Sequence, residues 1–435
     1  MSMRRLLGCL CIALFIMGGA PSTRADGEAV KVLRFGKLVD GKGKVWNDAI
    51  VVVRGDRIAE VTTDPAKIPA GAEVLDLRRF TAIPGLIDVH THTTYYWDQS
   101  SPVHPFEQQG GPRLPAVTVF LAQENARRTL EAGVTTVRDL GANDWDDVAM
   151  RDLINRGAML GPRMFVAGYG IYVADAPPRP GYSSPPGGRA DNLPDVMRVI
   201  REEVVAGVDV VKMFASTGTD QDLTGFQTYT FDEIRTAAEM AHKYGKRLAV
   251  HSYGPDGARD AVRAGADSIE HATDMDDATI AEMAKRGTFY VPTIDHNRYY
   301  AENIKIFGWG TEVADRLNDY LRRNVETARR AFHAGVRFAM GSDALFTMCG
   351  QNTRELGWFV KIGMTPAQAL STATSNAAAL LGKENELGAV APGYFADVVA
   401  VEGDPLADID VAISHVRWVM KGGAVVVDKT APEKK

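Results

Sequence analysis

A chain of 435 residues with 45% hydrophobic and 24% charged content has material for one large core and a smaller companion, which excludes collagen-like and intrinsically disordered classes. Its formal net charge of −6, from 49 Lys+Arg against 55 Asp+Glu, offers no basic excess for a run of phosphates, which excludes nucleic acid as an expected partner.

At the amino end, Arg4 and Arg5 precede an apolar run from Leu6 to Met17, then small residues and Thr23-Arg24-Ala25. That is the pattern of a cleavable leader, so residues 1–25 are expected to be a signal peptide and the mature chain to be exported, periplasmic or secreted. Membrane contact is expected through this segment alone. An uncleaved anchor is the alternative, but the run is shorter than the ~20 residues that span a bilayer. The paired arginines also fit a twin-arginine route. Cys9 and Cys11 fall inside the leader and leave Cys349 alone, so no internal disulfide is expected. With no base among its neighbours in ALFTMCGQN, Cys349 reads as a structural thiol rather than a nucleophile.

Residues 30–80 are short apolar runs punctuated by Gly and Asp, which predicts the first part of a small β domain. AIPGLIDVH then predicts the first strand of a larger unit, residues 81–387, and PRMFVAG predicts its third. The other six strands follow a recurring phrase, in which an amphipathic stretch ends in Gly and a β-branched run begins. The phrases are EAGVTTVRDL, VAGVDVVKMF, KYGKRLAVHS, RAGADSIEHA, KRGTFYVPTI and HAGVRFAMGS. Each Gly (133, 207, 245, 265, 287, 335) suits the left-handed position just past a helix end. Thr230 with Glu233, and Thr365 with Pro366 and Gln368, mark helix starts as capping boxes. Eight alternating β/α units predict an α/β fold, a closed (β/α)8 TIM-type barrel. An open doubly wound sheet is the runner-up, but no G-x-G-x-x-G follows the first strand. Long connections at 93–115 and 170–194, the latter holding DAPPRPGYSSPPGG, are expected to be lids or binding loops. Residues 388–428 return to short strands and are expected to finish the β domain as a β-sandwich built from both chain ends, leaving 429–435 as a disordered tail.

His90 and His92 stand two apart on the first barrel strand, so both side chains share one face and can converge on one ion. Counting from the helix-ending Gly, His251 and His271 each fall six residues on and Lys212 five, which brings all three to the carboxyl ends of their strands, the active face of such a barrel. Asp343, in FAMGSDA, ends the last strand with a carboxylate. Asp343 alone would read as a turn residue. An unmodified Lys212 has no lone pair to offer a cation, so its role stays open between an ion pair and an anionic ligand made by carboxylation of its nitrogen.

PGLIDVHTH with His90 and His92, DVVKMFAS with Lys212, LAVHSYG with His251, DSIEHA with His271 and MGSDA with Asp343 resemble the motifs of the amidohydrolase superfamily, in its imidazolonepropionase-like and Xaa-Pro dipeptidase-like branch. The resemblance runs from about residue 30 to 428. It implies two divalent metal ions, usually zinc, with His90 and His92 on the buried ion and His251 and His271 on the more exposed one. Lys212, carboxylated by CO2, would bridge them, and Asp343 would join the first ion and act as acid and base. Relatives with one metal lack this lysine. The implied reaction is hydrolysis of an amide C–N bond by a metal-bound hydroxide, with Asp343 passing a proton to the departing amine.

Arg298, with Tyr253 and His296 nearby in sequence pattern, is the expected grip for a substrate carboxylate, although each also reads as a surface or lid-packing residue. Tyr169, in VAGYGIYVADAPPRPG, stands near where dipeptidase-like relatives carry the histidine of a GGHG-type phrase, so substrate preference is not carried over from them. The expected substrate is a small molecule bearing a carboxylate, a dipeptide or N-acyl amino acid. Cyclic amide or lactone hydrolysis is the second reading, and a catalytically inactive binding protein the third. The sequence leaves a homo-oligomer open.

Overall fold

The computed structural model describes residues 30–431 except 101, 112, 174–186 and 219–220. The expected signal peptide, most of the 170–194 connection and the end of the expected tail lie outside these residues. Four strands open the described chain: β1 (Val30–Val39), β2 (Val45–Arg54), β3 (Arg57–Thr62) and β4 (Glu73–Pro84). Asp40 shapes the first hairpin, its Oδ1 accepting from the backbone N–H groups of Lys42 and Lys44 at 2.7 and 3.0 Å, the local trick that makes aspartate a turn former.

Eight parallel strands follow: β5 (Leu86–Thr91), β6 (Val134–Asp139), β7 (Arg163–Val166), β8 (Val210–Phe214), β9 (Arg247–Ser252), β10 (Ser268–His271), β11 (Phe289–Val291) and β12 (Arg337–Phe338). One falls in each predicted phrase. All six helix-ending glycines have φ between +68° and +96°, the region a side chain disfavours. Both predicted capping boxes are formed.

Hydrogen bonding groups these strands into two arcs, β5-β6-β7 and β12-β11-β10-β9-β8. At one gap, Ile171 N donates to Lys212 O at 2.8 Å and Phe214 N to Ile171 O at 2.9 Å. At the other, Val89 N donates to Met340 O at 2.9 Å and Asp343 N to His90 O at 2.7 Å. Backbone bonds therefore pass from one arc to the next at both ends, which fixes the strand ends relative to one another.

β13 (Val398–Val401), β14 (Val416–Lys421) and β15 (Ala424–Asp428) complete the sheet begun at the amino end, in the order β15-β14-β13-β4-β1-β2-β3. The two chain ends do meet, but as one continuous seven-stranded sheet rather than the separate sheets of the expected sandwich. The reason is β4, which pairs with β1 along one edge and β13 along the other, extending the sheet to Pro84. The expected tail also begins late, since Lys429 N donates to Arg417 O at 2.7 Å and the Thr430 hydroxyl to Asp428 Oδ1 at 2.6 Å. Of the 93–115 connection, helix Pro105–Gly110 is pinned by Phe106, which meets Phe346 edge to face at 5.3 Å and Phe307 at 5.5 Å. Among the described residues, no helix is long and apolar enough to cross a membrane.

Burial, and then Arg163, push the Lys421 amine at the end of β14 down to about 8. The unfolded chain then holds more protons than the folded one between about pH 8 and the ordinary lysine value of ~10.4, so stability rises with pH across that window. Lys421→Met is expected to flatten this rise, read as the difference in denaturation midpoint between pH 8 and pH 10 for the two proteins. An unchanged slope would show that Lys421 titrates normally.

Candidate metal centre

Alternation along β5 turns His90 and, one residue past the strand end, His92 to the same side. Lys212 lies within β8, His251 within β9, His271 at the end of β10, and Asp343 beyond β12. All six are at most 9% exposed, so the fold gathers six titratable groups in a place where water cannot solvate them. Such burial is tolerated only when the groups satisfy one another or a ligand.

His90 Nε2 and His92 Nε2 approach Asp343 Oδ1 at 3.5 and 3.2 Å. The rings of His90 and His271 are 5.0 Å apart, and those of His251 and His271 4.5 Å. His90, His271 and Asp343 offer donor atoms all within 4.8 Å of one another. Opposite these, three imidazoles are tethered through Nδ1: His90 to Glu270 Oε2 at 2.8 Å, His92 to Gly141 O at 2.9 Å, and His271 to Thr293 Oγ1 at 2.7 Å. An acceptor on Nδ1 selects the tautomer whose Nε2 keeps its lone pair. For His90 and His92, that nitrogen is the one facing Asp343.

The electrostatics agree. Burial, with Lys212 nearby, holds His90 well below its ordinary pKa, and burial with His251 and Lys212 does the same for His271. Burial alone would raise Asp343, yet His296, His92 and Lys212 together bring it below the usual carboxylate value. Burial pushes Lys212 down to about 8. Its Nζ has no hydrogen-bond partner among the described residues. Burial would lower His92 as well, yet Asp343 and Asp139 hold it above its ordinary value. Neutral imidazoles at His90 and His271, an ionised carboxylate and a buried amine without a hydrogen-bond partner among the described residues are groups that fit divalent cations.

The backbone is strained here. His271, Thr293 and Asp343 have φ of +70°, +47° and +55°, a region that non-glycine residues, above all β-branched ones, seldom enter. Gly341 is required by close approach: a Cβ there would stand 2.4 Å from Val291 Cγ1 and 2.7 Å from His90 Cβ. Gly341→Ala is therefore expected to cost about 1–3 kcal/mol in denaturant titrations and to weaken metal retention by displacing His90. Wild-type stability in that variant would show that the pocket yields.

The candidate substrate residues divide. His296 belongs to the cluster itself: its Nε2 is 3.3 Å from Asp343 Oδ2, and its Nδ1 donates to Asp343 O at 3.0 Å. Tyr253 also reaches the centre, its ring stacked on His251 at 5.2 Å. Arg298 does not. Two of its nitrogens bind Asp295 at 2.7 and 2.8 Å and a third binds Glu302, so its fork is already filled within helix Ile294–Glu302. Tyr169 stands aside, its hydroxyl donating to Asp144 Oδ1 at 3.2 Å and its ring against Trp145.

Sequence reasoning missed Glu270, Arg138 and Thr293. A signal existed for the first two, since each places a charge on a short barrel strand where apolar residues dominate.

An amidohydrolase family model matches residues 81–426. Ochratoxinase of Aspergillus niger is 29% identical, covering 92% of this chain and 87% of its own. Imidazolonepropionase of Symbiobacterium thermophilum is 25% identical over 96% of both chains. The crystal structure of a Xaa-Pro dipeptidase with bound methionine superposes with a TM-score of 0.82 at 30% identity, covering 91% of this chain and 99% of that one.

Proposed function

Because this chain belongs to the amidohydrolase family, acting on C–N bonds of small molecules, we propose that it is an exported, metal-dependent hydrolase that cuts the amide of a dipeptide or N-acyl amino acid. We read the two strand arcs as one (β/α)8 barrel with the centre at its carboxyl-terminal mouth. The observation that carries the reading is the convergence of His90 Nε2 and His92 Nε2 on Asp343 Oδ1, beside a buried Lys212 Nζ without a hydrogen-bond partner among the described residues. The dipeptidase structure with bound methionine and the relative named ochratoxinase support an amide substrate. The leader-like sequence pattern of residues 1–25 supports export.

His90, His92 and Asp343 would hold one ion, His251 and His271 a second, and Lys212 would join them once carboxylated. Its lowered basicity supports that modification, because only the neutral amine adds to CO2. When bound, divalent ions such as zinc polarise a carbonyl and acidify water at neutral pH. Asp343, held ionised, takes a proton from the attacking water and delivers it to the departing nitrogen as the C–N bond breaks. His296 keeps the carboxylate aimed through its contact with Oδ2. Tyr253 packs against the His251 ring and fixes its plane. Arg298 is engaged by Asp295 and Glu302, so its guanidinium meets a substrate carboxylate only in competition with them.

The test is a panel of dipeptides, N-acyl amino acids, cyclic amides and lactones, presented to the zinc-reconstituted mature protein. Turnover of the linear amides is expected. Turnover confined to the lactones or cyclic amides would replace this reading with the imidazolonepropionase-like one.

A further inference from the structure

Three of the proposed ligand histidines are tethered at Nδ1, and the tethers differ in kind. Gly141 offers His92 a neutral carbonyl and Thr293 offers His271 a neutral hydroxyl, whereas Glu270 offers His90 a carboxylate. Glu270 is wholly buried and its other oxygen is fully engaged: Oε1 accepts from Arg138 Nη2 at 2.8 Å and from the Ser268 hydroxyl at 2.5 Å. Arg138 is buried too, and it donates further to Val89 O at 2.5 Å and Ser268 Oγ at 3.0 Å. The guanidinium thus clamps β5, next to His90, onto β10, and holds Glu270 in line with the imidazole.

A carboxylate on the far nitrogen pushes electron density through the ring and strengthens the near nitrogen as a donor, an effect a carbonyl or hydroxyl acceptor gives more weakly. We propose that Glu270, oriented by Arg138, is a positioning residue that makes the two metal sites unequal, tightening the one His90 shares with His92. This rests on the two-metal reading above. Glu270→Gln removes the charge, and with Arg138→Met beside it the amide NH2 can face the Ser268 hydroxyl while its oxygen still accepts from His90 Nδ1.

The experiment titrates zinc against a competing chelator, and cobalt by its visible absorption, in wild type, Glu270→Gln and the double variant Arg138→Met/Glu270→Gln. The double variant guards against the unpaired buried guanidinium that the single one leaves. Two ions with unequal affinities are expected in wild type. In both variants the tighter site is expected to weaken about 10–100-fold with an altered cobalt spectrum, the weaker site holding its affinity. Equal weakening of both sites would overturn the proposal, leaving Glu270 a purely structural residue. Two wild-type ions and a tight site that moves less than about twofold in the variants would overturn the role of Glu270 alone, and a wild type that takes up fewer than two ions would overturn the two-metal reading and this proposal with it.

Discussion

Asp343→Asn is expected to lower kcat on amide substrates by about 10²–10⁴-fold while the protein stays folded. Asparagine suits the test because it tolerates the left-handed backbone found here, φ +55°, better than alanine or valine. It also keeps an oxygen where Asp343 Oδ1 faces His90 and His92, at 3.5 and 3.2 Å. What it loses is the capacity to take up and return a proton. An amide nitrogen leaves poorly unless protonated, whereas a nitrophenolate leaves unaided. Steady-state kinetics on matched amide and nitrophenyl ester substrates should therefore show the larger loss on the amide. Equal losses on both would assign Asp343 to metal retention alone and remove its acid role.

Lys212→Met is expected to move stability and activity in opposite directions. In the metal-free protein the wild-type Nζ is buried with no hydrogen-bond partner among the described residues, and an apolar side chain of similar length removes that burden. Stability should rise by on the order of 1 kcal/mol, read from the denaturation midpoint of the metal-free proteins. Activity should fall by about 10²–10³-fold, the equivalent of roughly 3–4 kcal/mol of lost transition-state stabilisation, with one of two zinc ions lost. In Lys212→Ala, short carboxylic acids are expected to restore part of the activity by filling the anionic position. Full activity and two ions in Lys212→Met would remove the bridging role.

Much of this arrangement was legible in the sequence because it is local. A glycine before six of the strands starts the count, and that count brings His251 and His271 to the carboxyl ends of theirs, while Lys212 lies in the middle of β8. Capping at Thr230 and Thr365 depends on four consecutive residues, and both boxes form. What escaped depends on which strands face each other. Arg138 on β6 meets Glu270 on β10, from one strand arc to the other, and no local pattern joins residues so far apart. The engagement of Arg298 by Asp295 and Glu302 escaped although it is local. Asp295 and Glu302 sit three positions before and four positions after Arg298 on the same helix face, a neighbourhood the sequence already displayed. His296 was placed near the site, but its contact with Asp343 could not be read, since it depends on where helix Ile294–Glu302 docks. Glu355 sets that docking, accepting from the Ile294 and Asp295 N–H groups at 2.9 and 2.8 Å.

The sharing of β4 between the two chain ends has a consequence in time. Residues Thr81–Pro84 pair with Val398–Val401, partners separated by more than 300 residues. At ribosomal rates of about 5–20 residues per second, that edge stays open for roughly 15–60 s after it emerges. An unpaired edge strand is a template for the wrong partner. The nascent chain therefore carries an adhesive margin for most of its synthesis, and a chain that ends before Val398 never covers it.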